Sequence, residues 1–334
     1  MDDAKSNPTV RPAEAGSCKN ETPQYGGVIA VLVTPCRGPG EIDPHSMRRL
    51  CSILGEKGCD GIFVLGSSGS WFLIDEDDRR ALTVAAREGT PPGMRLYLGV
   101  SGTGPKQSIR YASYAAQDGA DAVVVTAPMM FKYGQDELLG YFTRIADESP
   151  LPMLLYHHPR IPSPLEIDTI TTLSRHANIV GVKDTSMDME RFRALTLATA
   201  ASGFTVLQGS EKLIHEGLLA VGGGFMTALA AVAPEWHIAL DRAYRCNDQT
   251  AAASYQKRIE ALWQLFRRAP LDDSFSYFGY LIKRILKARG WLERTDALML
   301  GFEPQADFER VIMEHMQQVG LMDVITDQKS DNRG

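Results

Sequence analysis

Eight short apolar runs, each followed by a stretch with helix-like spacing, constrain this chain more than any other feature. They span Val28–Thr34, Gly61–Leu65, Leu96–Val100, Ala122–Thr126, Met153–Tyr156, Ile179–Lys183, Thr205–Gln208 and Gly224–Met226. A strand buried on both faces reads as a continuous apolar run, and its alternation with amphipathic segments indicates a parallel βα array. Eight units of that kind close into an α/β fold of the (β/α)8 TIM-barrel type. An open, doubly wound sheet binding a dinucleotide would carry a glycine fingerprint after the first strand. Val33-Thr-Pro-Cys36 stands there instead, and Gly222-Gly-Gly224 has the wrong spacing.

The barrel accounts for residues 23–233. Beyond Pro234 the pattern turns helical, with apolar residues at three- and four-residue spacing over Trp236–Cys246, Gln249–Arg267, Ser274–Arg289 and Gln305–Val319. These helices form a C-terminal extension, 234–320, packed on the barrel. Its aromatics Trp263, Phe266, Phe275, Tyr277, Phe278 and Tyr280 read as core or subunit contact. Residues 1–22, polar and without an apolar block, and residues 321–334 read as flexible tails. A length of 334 residues with 44% hydrophobic content needs no second independent domain.

In a (β/α)8 barrel, chemistry gathers at the C-terminal ends of the strands. Lys183 ends the apolar segment Asn178-Ile-Val-Gly-Val-Lys183, where desolvation favours the neutral, nucleophilic amine. Ser67 and Ser68 lie in Val64-Leu-Gly-Ser-Ser-Gly-Ser70, where backbone N–H groups and two hydroxyls can converge on a carboxylate. Tyr156 ends Pro152-Met-Leu-Leu-Tyr156 and offers a phenol for proton relay. Each segment alone also fits a structural role: a solvated lysine, a polar turn, a core-edge tyrosine. Their common position at strand ends unites them.

Taken in order, these features resemble the dihydrodipicolinate synthase and N-acetylneuraminate lyase family of Schiff-base aldolases and lyases. The resemblance runs from Gly26-Gly-Val-Ile-Ala-Val-Leu-Val-Thr-Pro35 through Gly66-Ser-Ser-Gly69, Tyr156-x-x-Pro159 and Gly181-Val-Lys-Asp-Thr-Ser186 to Val206-Leu-Gln-Gly-Ser210 and the Gly222–Pro234 stretch. It implies that Lys183 forms an imine with a 2-oxo acid, that Tyr156 relays protons and that Ser67 and Ser68 hold the carboxylate. Gly209, Met226 and His157 are expected to contact the substrate, no cofactor is expected, and the resemblance implies a homo-oligomer, either a tetramer of tight dimers or a dimer. The expected substrate is pyruvate or a 3-deoxy-2-oxo sugar acid. The expected reaction is carbon–carbon cleavage, condensation or dehydration. Asp184, opposite the amine on an extended backbone, reads as a structural acceptor rather than the base.

Three positions depart from the lysine-biosynthesis synthases of that family. Met129-Met130 replaces an aromatic pair, Ile161 stands where an arginine would hold a second carboxylate, with Arg160 one position early, and Ser70 replaces a glutamate. These changes point away from aspartate semialdehyde, whose condensation with pyruvate to 4-hydroxy-tetrahydrodipicolinate is the first alternative. A non-catalytic 2-oxo-acid-binding or regulatory barrel is the second.

His157 and His158 do not suggest a metal site, because neighbours on a strand point to opposite faces. One of them facing the substrate and both filling loop space stay open as readings. A net charge of −6 without a basic stripe argues against nucleic acid or an anionic membrane surface, and no run is long enough to span a bilayer. Five cysteines without a CxxC pair or a disulfide framework suit a reducing cytoplasm. Cys36 reads as a small packing residue, with pocket lining as the alternative.

Overall fold

A computed structural model of the chain describes residues 22–268, 275–301, 303 and 307–324. All eight runs are strands: β1 (Gly27–Val31), β2 (Gly61–Val64), β3 (Arg95–Gly99), β4 (Ala122–Thr126), β5 (Met153–His157), β6 (Ile179–Asp184), β7 (Thr205–Gln208) and β8 (Gly224–Thr227). They form a closed barrel in sequence order, every ladder parallel, with β8 pairing back to β1. All but Arg95 and Val180 of these strand residues are buried, because helices cover the outer face and side chains fill the inner one.

The connecting helices are α1 (Pro44–Lys57), α2 (Glu76–Gly89), α3 (Pro105–Gln117), α4 (Gln135–Glu148), α5 (Ile167–Leu173), α6 (Met189–Thr199), α7 (Ile214–Leu219) and α8 (Pro234–Arg245). Local chemistry fixes several starts. Asp43, Asp75 and Asp188 cap α1, α2 and α6 by accepting backbone N–H bonds with their carboxylates, and Pro44, Pro105 and Pro234 occupy the first helical turn, where no N–H partner is needed. Pro234 thus starts α8 two residues before the predicted Trp236.

The first run ends as strand at Val31, short of the predicted Thr34. Past Pro35 the chain folds into a small antiparallel hairpin, Cys36–Gly38 with Glu41–Ile42, too short to leave a periodic signal. Three further helices, α9 (Gln249–Arg268), α10 (Ser276–Ala288) and α11 (Phe308–Gln318), complete the extension. The predicted starts at Ser274 and Gln305 lie outside the described residues. So do residues 1–21 and 325–334 of the expected tails. Leu321 is fully buried and Met322 and Val324 pack on the core, so the packed region passes the predicted limit at residue 320. Cys36, Cys51 and Cys59 are buried free thiols, and burial pushes Cys51 up to about 12. Cys246 is disulfide-bonded, a departure from the expectation of unpaired cysteines.

Candidate active site

Leu65, immediately after β2, adopts φ 58°, a left-handed conformation costly for a branched residue. Gly99 at the end of β3 makes room for it, since a Cβ there would stand 1.9 Å from the Leu65 carbonyl oxygen. The resulting sharp turn sets Ser67 and Ser68 at the head of a single 3-10 turn over the barrel mouth. Thr34 ties that turn to β1 by donating its hydroxyl to the Gly69 carbonyl at 2.7 Å.

Tyr156 and Lys183 are register partners on β5 and β6, so their side chains leave the sheet together. The Lys183 Nζ lies 4.5 Å from the Tyr156 ring centroid and 5.4 Å from that of Phe63. Lys183 is 5% exposed and, among the described residues, forms no ion pair with a carboxylate. The Tyr156 hydroxyl is in turn 3.1 Å from Ser67 Oγ. A buried amine, a phenol and a hydroxyl therefore converge within one cleft of about 220 Å³, a size suited to a small molecule. Ser68, Gly209 and Met226 line it too. Gly209 is needed there because a Cβ would meet Thr185 Oγ1 at 2.2 Å, where the chain after β7 donates to the Asp184 carbonyl at 2.8 Å.

His157 is the exception among the expected site residues. Being one position from inward-facing Tyr156, it points outward beside Asp184, and its Nδ1 accepts the Leu165 N–H at 3.3 Å. His158, two positions from Tyr156, lines the cleft instead and meets the Tyr156 ring edge-on at 5.8 Å. Its Nδ1 accepts the Arg160 N–H at 3.1 Å, which leaves the hydrogen of the neutral ring on Nε2. Burial first, then the nearby Lys183 and Arg160 charges, lower His158 to about 4, and burial likewise lowers His157. Asp184 is 1% exposed and accepts from Arg191 Nε at 3.1 Å and from the Ser186 N–H at 2.8 Å, the structural role expected of it.

Other residues of the cleft were not expected there from the sequence. Arg160 borders it despite standing one place early. Trp263, Phe275 and Phe278, expected as core or subunit contact, line its outer part, whereas Phe266, Tyr277 and Tyr280 are buried in the core as anticipated. Glu211, in the loop after β7, forms part of the wall. A cluster of aromatics in helices that follow a barrel was the available sign for the first group. For Glu211 there was none. Cys36 stays out of the cleft and accepts a hydrogen bond from buried Lys283 at 3.3 Å.

Two larger cavities of about 500 and 520 Å³ lie at the opposite end of the barrel, lined by Phe204, Thr205 and neighbouring residues at strand N-termini, without the amine or the phenol. Among the described residues no group of three or more His, Cys, Asp or Glu side chains is placed to hold a metal ion. None of their helices is long and apolar enough to cross a membrane.

Residues 24–299 match the Dihydrodipicolinate synthetase family. The chain is 29% identical over 257 residues to the putative 2-dehydro-3-deoxy-D-gluconate aldolase YagE of Escherichia coli strain K12, covering 75% of this chain and 83% of that protein. It is 31% identical over 257 residues to 4-hydroxy-tetrahydrodipicolinate synthase 1 of Streptomyces coelicolor, covering 76% and 83% respectively. The crystal structure of YagE in complex with pyruvate superposes with a TM-score of 0.83 at 27% identity, over 89% of this chain and 99% of that one. Dihydrodipicolinate synthase from Aquifex aeolicus shares the fold, with a TM-score of 0.80 at 22% identity over 89% and 99% of the two chains.

Proposed function

Since this chain belongs to the dihydrodipicolinate synthetase family of aldolase- and lyase-type enzymes, we propose that it acts through an imine between Lys183 and a 2-oxo acid. The observation that carries this reading is the amine of Lys183, buried without a carboxylate beside the hydrogen-bonded Tyr156–Ser67 pair. An amine freed of a counter-ion is available to attack a carbonyl carbon, and the imine then withdraws electrons from the adjacent C–H or C–C bond. The substrate carboxylate is held by Ser67 and Ser68. Tyr156 moves the proton lost or gained as the carbinolamine collapses, with Ser67 orienting its hydroxyl.

The substrate class is pyruvate or a 3-deoxy-2-oxo sugar acid. Support comes from the similarity to YagE, a putative 2-dehydro-3-deoxy-D-gluconate aldolase crystallised with pyruvate. The hydroxyl and imidazole groups bordering the cleft suit a hydroxylated chain. Borohydride reduction in the presence of pyruvate tests the reading: it should add the reduced pyruvyl mass to the peptide holding Lys183. A substrate panel of 2-oxo acids, followed by pyruvate release and by loss of water, then separates aldolase from dehydratase.

One observation favours a second reading, condensation of pyruvate with aspartate semialdehyde: Arg160 borders the cleft and offers a cation for a second carboxylate. Consumption of aspartate semialdehyde with pyruvate decides it. We also infer a homo-oligomer, dimer or tetramer. Met130 and Phe131, 81% and 66% exposed, form an apolar step that a second copy would cover, and light scattering on the purified protein measures this.

A further inference from the structure

Glu211 in the wall of the cleft faces His237 behind it, and each has one buried polar atom without a hydrogen-bond partner. Glu211 is 5% exposed, and its Oε1 accepts the Leu229 N–H at 2.8 Å while Oε2 has no hydrogen-bond partner. His237, on α8, is fully buried. Its Nδ1 lies 2.8 Å from the Ala233 carbonyl oxygen, which only accepts, so the hydrogen is on Nδ1. Its Nε2 is also unpartnered and stands 3.6 Å from Glu211 Oε2. A bare ring nitrogen facing an ionised carboxylate would set lone pair against lone pair between two buried atoms. A single shared proton removes both deficits. It makes the pair either a carboxylic acid beside a neutral imidazole or an imidazolium beside a carboxylate. In both forms the net charge is zero.

We propose that this pair stores one transferable proton and that Glu211 is a second acid/base of the cleft, serving the substrate oxygen beyond the imine while His237 positions and reloads it. The inference rests on the imine reading above and adds a second proton locus to it. A 3-deoxy-2-oxo acid bound as an imine exchanges protons at two places, carbon C3 and the oxygen on C4. Tyr156, bonded to Ser67 beside the Lys183 amine, serves the first. Glu211 borders the same cleft from the loop after β7, and the proton it shares with His237 serves the second.

In dehydration, C3 gives its proton to the Tyr156 side, its electron pair forms the C3=C4 double bond, and the C4–O bond breaks. The proton held by the Glu211–His237 pair joins the departing oxygen, which leaves as water. In condensation, the enamine carbon bonds to an aldehyde carbon and the same proton converts the aldehyde oxygen into a hydroxyl. Neither direction needs an oxidant or a reductant, and solvent protons reload the pair.

Glu211→Gln is the matched variant, because its amide oxygen can still accept from Leu229 and its amide N–H can donate to His237 Nε2, yet it transfers no proton. Exchange of pyruvate methyl hydrogens with D2O, read by NMR, requires only the imine and Tyr156, so it reports that half of the chemistry separately and should fall far less than full turnover. Turnover of a 3-deoxy-2-oxo hexonate should fall by about 10²-fold or more. Equal loss of both activities, or unimpaired turnover, would overturn the role of Glu211. Wild-type protein without methyl exchange would overturn the imine reading itself, and this role with it. In folded wild-type protein, nitrogen-15 NMR of His237 and carbon-13 NMR of Glu211 should show a proton on His237 Nε2 or on the Glu211 carboxyl. A bare Nε2 beside an ionised carboxylate sinks the shared proton.

Discussion

The Tyr156 hydroxyl and Ser67 Oγ lie 3.1 Å apart, joining the end of β5 to the turn after β2 across the barrel mouth. A phenol tethered in this way is aimed rather than free, and the tether is made by a residue that also faces the proposed carboxylate position. Tyr156→Phe keeps the ring against Lys183 but removes the relay. The expected result is a loss in kcat of about 10²-fold or more with little change in thermal midpoint, and Ser67→Ala should lose less kcat but raise KM. Full activity in Tyr156→Phe would shift the relay to His158, whose ring meets that of Tyr156 edge-on in the same cleft.

Lys183→Arg separates charge from chemistry. Arginine is always protonated and forms no imine with a ketone, so borohydride-dependent mass addition and turnover should both vanish. Folding should persist, because no carboxylate is left unpaired by the change. Adduct formation at wild-type extent would mean that a different amine carries the reaction.

Much of the barrel was legible because parallel strands covered on both faces leave unbroken apolar runs, and Lys183 stood out as a charge closing one of them. Strand alternation also carried the answer for the histidines: counting two from inward-facing Tyr156 selects His158, while His157 falls on the outer face with Asp184. What stayed hidden comes from loops and helices remote in sequence. Trp263 and Phe278 reach the cleft because α9 and α10 pack over the barrel mouth, and Glu211 meets His237 because α8 folds back under the loop after β7. Sequence spacing holds no record of either approach. The short hairpin after Pro35 escaped because strands of two and three residues have no period to read.

Acid should weaken the fold through the two histidines. Both have folded-state values below the usual 6.5, His158 at about 4, so between pH 6.5 and 4 the unfolded chain binds more protons than the native one. Stability from keeping them neutral is therefore complete above pH 6.5 and lost as the pH falls toward 4. Urea midpoints should decline over that window. His158→Gln should flatten the decline by at most about 1.4 kcal/mol per pH unit, less what solvent screening removes. An unchanged slope in the variant would show that His158 titrates normally.

Gly209 tests how tightly the cleft is built. An alanine Cβ would sit 2.2 Å from Thr185 Oγ1 and 2.9 Å from the Asp184 carbonyl oxygen, and the latter is backbone that cannot rotate away. The chain after β7 must then move, carrying Ser210 and Glu211 with it. Gly209→Ala should cost about 1–3 kcal/mol of stability and reduce kcat/KM. Wild-type kinetics would mean that the loop relaxes without disturbing the cleft.

The choice of carbonyl partner turns on Arg160. Ile161 occupies the place expected for a carboxylate-holding arginine, and Arg160 reaches the rim of the cleft as an exposed side chain. An exposed cation contributes about 0.2–1 kcal/mol to a paired carboxylate, because solvent screens it and ordering the side chain costs entropy. Neutral hydroxylated aldehydes should accordingly be better acceptors than aspartate semialdehyde. Arg160→Ala should change the ratio of their kcat/KM values by less than about tenfold, the equivalent of 1.4 kcal/mol. The measurement is that ratio in wild type and variant with pyruvate as donor. A buried, bidentate arginine–carboxylate contact would give a much larger change, so a hundredfold collapse for aspartate semialdehyde alone would make Arg160 the second carboxylate site and transfer the assignment to the synthase.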